Sequence, residues 1–206
     1  SLTTFEYMLS ESITTDSSVH SIFLSTLQSL TNLESFTLTY THSQKIKYPM
    51  FNDVLRIVST NCNNLSSLNI RNIAFIDDQM EIETILLSIS SKLTSFQWSN
   101  MNSLPIVGSK WFQMKSLISL NLSSTSIDNE SLETICQLSN LHHLTIGPNN
   151  TSCSLPFNWF DLICQLSKQL RSFSLVDIEL TDDQYAILIT QFIHLTHIEV
   201  PLNQQH

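Results

Sequence analysis

The stretch 117-LISLNLSSTSIDNESLETICQLSNLHHLTI-146 decides how this chain folds. It holds the pattern L-x-x-L-x-L twice, at Leu117 (Leu120, Leu122) and Leu141 (Leu144, Ile146). In an extended chain, side chains alternate between two faces. The apolar residues of each pattern therefore share one face, and Ser119, Asn121, His143 and Thr145 share the other. Between the two patterns, "SLETICQLS" (131–139) spaces its apolar residues to line one face of a helix. Asp128 stands where a helix wants an N-terminal cap. The stretch thus reads as strand, turn, helix, strand. A unit this short cannot enclose a core alone and must stack on copies of itself.

Working outward, the same pattern tiles the whole chain. It begins at Leu2, Leu33, Leu65, Leu93, Leu117, Leu141, Leu170 and Leu195, at intervals of 24 to 32 residues. A helical segment is expected in each unit and is plainest at 18–30, 53–60, 80–89, 131–139, 160–167 and 185–193. Thr181 and Gln184 form the spacing of a capping box before the last of these.

Eight tandem units of this kind resemble the leucine-rich repeat family over essentially the entire chain. The resemblance implies an α/β solenoid, or horseshoe, of about eight strand–turn–helix repeats. Its parallel sheet would line the concave side, helices would cover the convex side, and one domain would span 1–206. Variable unit length and a helix in every unit look like the ribonuclease-inhibitor-like and cysteine-containing subclasses; the latter is typical of F-box substrate receptors. The family's asparagine after the strand is present only as Asn149 and Asn203. Elsewhere that slot holds Thr41, Ile73, Met101, Thr125 or Ile178, so divergent turns are expected. Because the strand at Leu2 reads as a true repeat, an upstream cap or domain is expected and the chain reads as a fragment.

Composition excludes several classes. A net charge of −9 with only nine Lys and Arg argues against nucleic acid or an anionic membrane, which need clustered cations. Two glycines, Gly108 and Gly147, leave no phosphate-cradling loop, and no cofactor is expected. No apolar run reaches the roughly 18–20 residues of a membrane span. Cys62, Cys136, Cys153 and Cys164 form no C-x-x-C pair, so they read as buried free thiols in a reducing compartment, and a cytoplasmic location is expected.

The third, fifth and seventh residues of each pattern should face the concave solvent side. The third column runs Thr4, Ser35, Ser67, Ser95, Ser119, His143, Ser172, His197. It sets a serine beside histidines, the minimal grammar of nucleophilic catalysis. Yet the column has no carboxylate to orient an imidazole, and an open sheet has no pocket for an oxyanion. Metal binding by His143 and His197 is opposed by the two strand spacings between them, roughly 10 Å. A contact surface is the better reading. The residues expected to meet a partner there are Thr37, Asn69, Arg71, Gln97, Ser99, Asn121, His143, Thr145, Ser172, His197 and Glu199. Two insertions, 40–51 and 147–160, interrupt the repeat, and the second adds Phe157 and Trp159 as loop contacts.

Acidic residues gather after strands and at helix starts (Asp77, Asp78, Glu81, Asp128, Glu130, Asp177, Glu179, Asp182, Asp183). Lys92, Lys115, Lys168 and Arg171 gather at helix ends or just before strands. Both placements complement helix dipoles. They also suggest an acidic rim that could attract a basic partner. The expected function is therefore non-enzymatic: a scaffold binding a protein partner by its concave face and loops, with no nucleic acid or membrane involved. The resemblance adds three narrower possibilities: the substrate-recognition part of an F-box ubiquitin ligase, a GTPase-activating protein with Arg71 as its isolated candidate arginine, and an immune sensor or effector.

Overall fold

In the computed structural model, residues 2–9, 17–41, 46–48, 50–74, 79–101, 104–148 and 155–201 are described. Each L-x-x-L-x-L pattern ends in a strand: β1 (Thr4–Leu9), β2 (Ser35–Tyr40), β4 (Ser67–Arg71), β6 (Ser95–Ser99), β7 (Ser119–Ser123), β8 (His143–Gly147), β9 (Ser172–Leu175) and β10 (His197–Glu199). These eight form one sheet in the order β1-β2-β4-β6-β7-β8-β9-β10, and all pairs are parallel. Parallel neighbours need a crossover, which each unit supplies by turning back through its second half. The chain is an α/β solenoid of stacked repeat units sharing one parallel sheet.

The helices are α1 (Ser17–Ser29), α2 (Phe51–Asn61), α3 (Gln79–Ile89), α4 (Asn129–Ile135), α5 (Trp159–Cys164) and α6 (Asp182–Gln191). Two of their starts follow the sequence signals. Asp128 caps α4 by accepting the Ser131 N–H at 2.9 Å, and Thr181 and Gln184 complete their reciprocal capping box before α6. Two helices are shorter than the periodicity predicts. After Ile135 and after Cys164 the chain tightens into bonds between residues three apart, Leu138 N–H to Ile135 O (3.1 Å) and Ser167 N–H to Cys164 O (3.1 Å). That winding returns the chain to the next strand within a few residues.

The expectation of an α-helix in every unit fails in the fourth, which builds a 3₁₀ helix, Gly108–Gln113. Neighbouring units hold this segment through polar groups. Buried Glu83 of α3 accepts the Val107 N–H at 3.2 Å and the Lys110 ammonium. At the start of α4, the Ser131 hydroxyl accepts the Gly108 N–H (2.8 Å) and Glu130 accepts the Ser109 N–H (3.1 Å). A second sheet is also unforeseen: β3 (Ile46–Lys47) pairs in parallel with β5 (Ile73–Ala74).

Between sheet and helices runs one cluster of buried residues extending from Leu9 to Phe192. In the six inner units the leucine-type positions are buried without exception. In the first and eighth units Leu2 is 52% and Ile198 43% exposed. No helix among the described residues is long and apolar enough to cross a membrane.

The turns after the strands also depart from the family pattern. Asn72, Asn100, Ser124 and Asp177 adopt left-handed backbone (φ 54 to 61°), each one place before the slot expected to hold asparagine. Asparagine and aspartate tolerate this conformation best. Asn72 Nδ2 donates to Tyr40 O at 2.9 Å, and Asn100 Nδ2 donates to Asn72 Oδ1 at 2.6 Å. The asparagine ladder therefore exists, shifted by one position. The slot itself is filled by buried side chains, Ile73, Met101 and Thr125, the last donating its hydroxyl to Trp98 O at 2.9 Å. Asn149 and Asn203, together with Asp77, Asp78 and Cys153, lie outside the described residues.

Candidate functional site: the concave face

Register brings the predicted columns together as adjacent rungs. Ser35, Ser67, Ser95 and Ser119 pair in line with His143, Ser172 and His197. The fifth column pairs Glu6, Thr37, Asn69, Gln97, Asn121, Thr145, Ser174 and Glu199 in the same way. The short side chains are mostly half-buried; Ser174 is buried, and Thr4, Glu6, Arg71, His143, His197 and Glu199 are exposed.

At the middle of the face, four of the predicted residues form one network. Arg71 donates through Nε to Asn69 Oδ1 (3.0 Å) and through a terminal nitrogen to Gln97 Oε1 (3.0 Å). Gln97 in turn donates from Nε2 to Ser99 Oγ at 3.0 Å. The network crosses from β4 to β6, so it exists only because Asn69 and Gln97 are register partners. It ties the exposed guanidinium to two neighbouring amides and leaves other N–H groups for a partner's oxygen. Ser99 was expected to be exposed and is instead buried at 6%, entering the face only as the acceptor for Gln97. Next along, Asn121 Oδ1 accepts the Ser123 N–H at 2.9 Å, and at the far end Ser174 donates to Glu199 at 3.0 Å. Arg71 closes strand β4 rather than lying on a strand-to-helix loop, the position a catalytic arginine would need in the GTPase-activating reading.

The serine–histidine column carries no catalytic wiring. His143, Ser172 and His197 are adjacent in register, but no side-chain hydrogen bond joins them among the described residues. Nor do three or more metal-type ligands cluster among those residues. Burial disfavours the thiolate at the three described cysteines. Desolvation pushes the Cys136 thiol up to about 12, aided by nearby Cys164, and raises Cys62 and Cys164 as well. Cys62 and Cys136 are buried as expected, whereas Cys164 is half-buried. Under native conditions near neutral pH, maleimide should therefore label Cys136 about two to three orders of magnitude more slowly than an exposed cysteine. Labelling should become rapid once the chain is unfolded. Peptide mapping by mass spectrometry reads this, and fast native labelling of Cys136 would contradict the buried placement.

The aromatic loop divides. Phe157 is fully exposed, Trp159 is half-buried against the core, and Phe160 is buried, with the Trp159 and Phe160 rings edge-to-face at 5.4 Å. Only Phe157 and part of Trp159 are open to a partner. The acidic residues divide too. Asp128, Glu130, Glu83 and Glu81 are engaged inside the fold, Glu81 by Asn52 (2.6 Å) and Arg56. Arg56 bridges Glu81 and Asp53, and that pairing raises its guanidinium's affinity for its proton.

Fold and face together define a class: a repeat solenoid presenting an open, neutral, hydrogen-bonding sheet. The crystal structure of an internalin from Listeria monocytogenes is similar to it, with 17% sequence identity, a TM-score of 0.43, and alignment over 96% of this chain. This chain spans 48% of that protein's length. No family model matches the chain. No curated protein matches it in sequence.

Proposed function

We propose that this chain is a non-enzymatic scaffold that binds a protein partner through its concave face and adjoining loops. The observation that carries the proposal is the Asn69–Arg71–Gln97–Ser99 network at the centre of the sheet. An arginine held in place by two amides loses little freedom on binding, and arginines are enriched among residues that dominate interface energetics. Around it, Thr37, Asn121, Thr145, Ser172, His143 and His197 offer small donors and acceptors, and Glu199 stands at the far edge. Exposed Phe157 and half-buried Trp159 are the apolar contacts offered by the adjoining loop.

The test is a triple substitution, Asn69→Glu, Gln97→Glu and Asn121→Glu, in the parent protein. Placing three like charges in a desolvated interface should weaken a captured partner at least a hundredfold, about 3 kcal/mol. Circular dichroism should stay that of the parent, since all three positions are on the open face. A partner that binds both proteins equally removes the concave-face assignment.

Within this reading, the helices of the first three units and buried Cys62 and Cys136 favour the cysteine-containing, F-box-receptor-like subclass. That points to cytoplasmic substrate recognition for a ubiquitin ligase. Co-purification of the parent with a ubiquitin-ligase adaptor would support it, and an upstream sequence without an F-box would remove it. A basic patch on the partner is favoured near Asp177, Glu179, Asp182 and Asp183, which are exposed and in no ion pair among the described residues.

A further inference from the structure

The rim where helices end and strands begin carries the opposite charge. Among the described residues, Lys92, Lys115, Lys168 and Arg171 lie there, all exposed, and none is in an ion pair. In the sixth to eighth units this rim folds into a cleft of about 530 Å³. Its lining includes His142, Lys168, Gln169, Arg171, His194 and Thr196, with no carboxylate among the described residues. The backbone beneath is firmly tied: Arg171 N–H donates to His142 O at 2.8 Å, and Thr196 N–H donates to Arg171 O at 2.8 Å. Gln169 Nε2 is anchored on Leu138 O at 2.9 Å, which holds the turn against the preceding unit. His142 lines the cleft as well, and its inaccessible Nδ1 has no hydrogen-bond partner among the described residues.

A cleft that gathers two cations and two imidazoles, in a chain of net charge −9, is built for negative charge. A monocarboxylate would neutralise only one of the two cations. A phosphate dianion matches both, since a guanidinium can meet two of its oxygens and an ammonium a third. Two cations are too few to follow a nucleic-acid strand. We infer that this cleft is a binding site for a single phosphate dianion, carried on a protein side chain or free as a small phosphate compound. The site lies on the rim, away from the Arg71 network, and does not rest on the concave-face reading.

The experiment is an NMR titration of the His142 and His194 ring signals with sodium phosphate, at constant ionic strength and at a pH where phosphate is a dianion. Saturable shifts of both rings are expected, with sodium chloride producing none. The double variant Lys168→Ala, Arg171→Ala should bind at least about tenfold more weakly. The double variant Lys92→Ala, Lys115→Ala, on the same rim outside the cleft, should bind like the parent. A short phosphoserine peptide that binds more tightly than inorganic phosphate assigns the site to a phosphorylated protein. Equal affinity assigns it to free phosphate compounds. An equal response to chloride, shifts that never saturate, or an equal loss in both double variants would overturn the proposal.

Discussion

Replacing Trp98 with alanine is expected to destabilise the chain by about 3–5 kcal/mol and to lower its urea midpoint by about 2 M. Trp98 is fully buried in β6 and stands in register with Ile70 of β4. Its ring lies 5.9 Å from Phe51 of α2 and 5.9 Å from Phe96, and Phe96 lies 6.2 Å from Trp111. These rings join the second to fourth units, so the loss of Trp98 opens a cavity between repeats rather than within one. Units in such an array are stabilised by their neighbours, and the cost should appear as one cooperative shift. Fluorescence and circular dichroism should report the same midpoint. A drop of less than about 0.5 M would mean that Trp98 is not packed as described.

Gly147→Ala should cost about 3 kcal/mol, at the upper end of what overpacking usually does. A Cβ built on Gly147 would sit 2.1 Å from the carbonyl oxygen of Val176 and 2.7 Å from its Cβ. The nearest of these atoms is backbone, which cannot rotate aside. It is pinned as well, because the Val176 N–H donates to Ile146 O at 2.9 Å. Alanine must break that bond or push the ends of β8 and β9 apart. Hydrogen exchange at the Val176 amide should accelerate sharply while the paired middle of the two strands, at Thr145 and Ser174, stays protected. Unchanged stability together with unchanged protection would refute the close approach. Glycine is required here by proximity, whereas Gly108 is required by conformation, at φ 58°.

Strand identity, strand order and facing could be read from the sequence because each depends on neighbours a few residues apart. Alternation within L-x-x-L-x-L assigns Leu120 and Leu122 to the core and Ser119 and Asn121 to the open face, whatever lies beside them. Recurrence of that unit then puts Ser119 next to His143 and Asn121 next to Thr145. The caps at Asp128 and Thr181 were legible for the same reason, since a cap needs only three residues.

Other features depend on how one unit sits on the next, and the spacing between units varies from 24 to 32 residues. Asn72 and Asn100 form their ladder because two turns in adjacent units adopt the same left-handed bend, which the slot pattern misplaces by one residue. Ser99 is buried, and Arg71 is fixed by a glutamine 26 residues away, for reasons that lie on neighbouring strands. The fourth unit forms a 3₁₀ helix where Glu83, Glu130 and Ser131 from two other units hold its backbone N–H groups. The rim cleft joins His142, Arg171 and Thr196, one from each of three consecutive units. By itself the sequence determined a stacked parallel sheet with a polar open face, because local periodicity dictates which residues are buried. The tertiary structure alone decided which polar groups meet across units, because each such contact is set by the relative positions of two repeats and is encoded in neither.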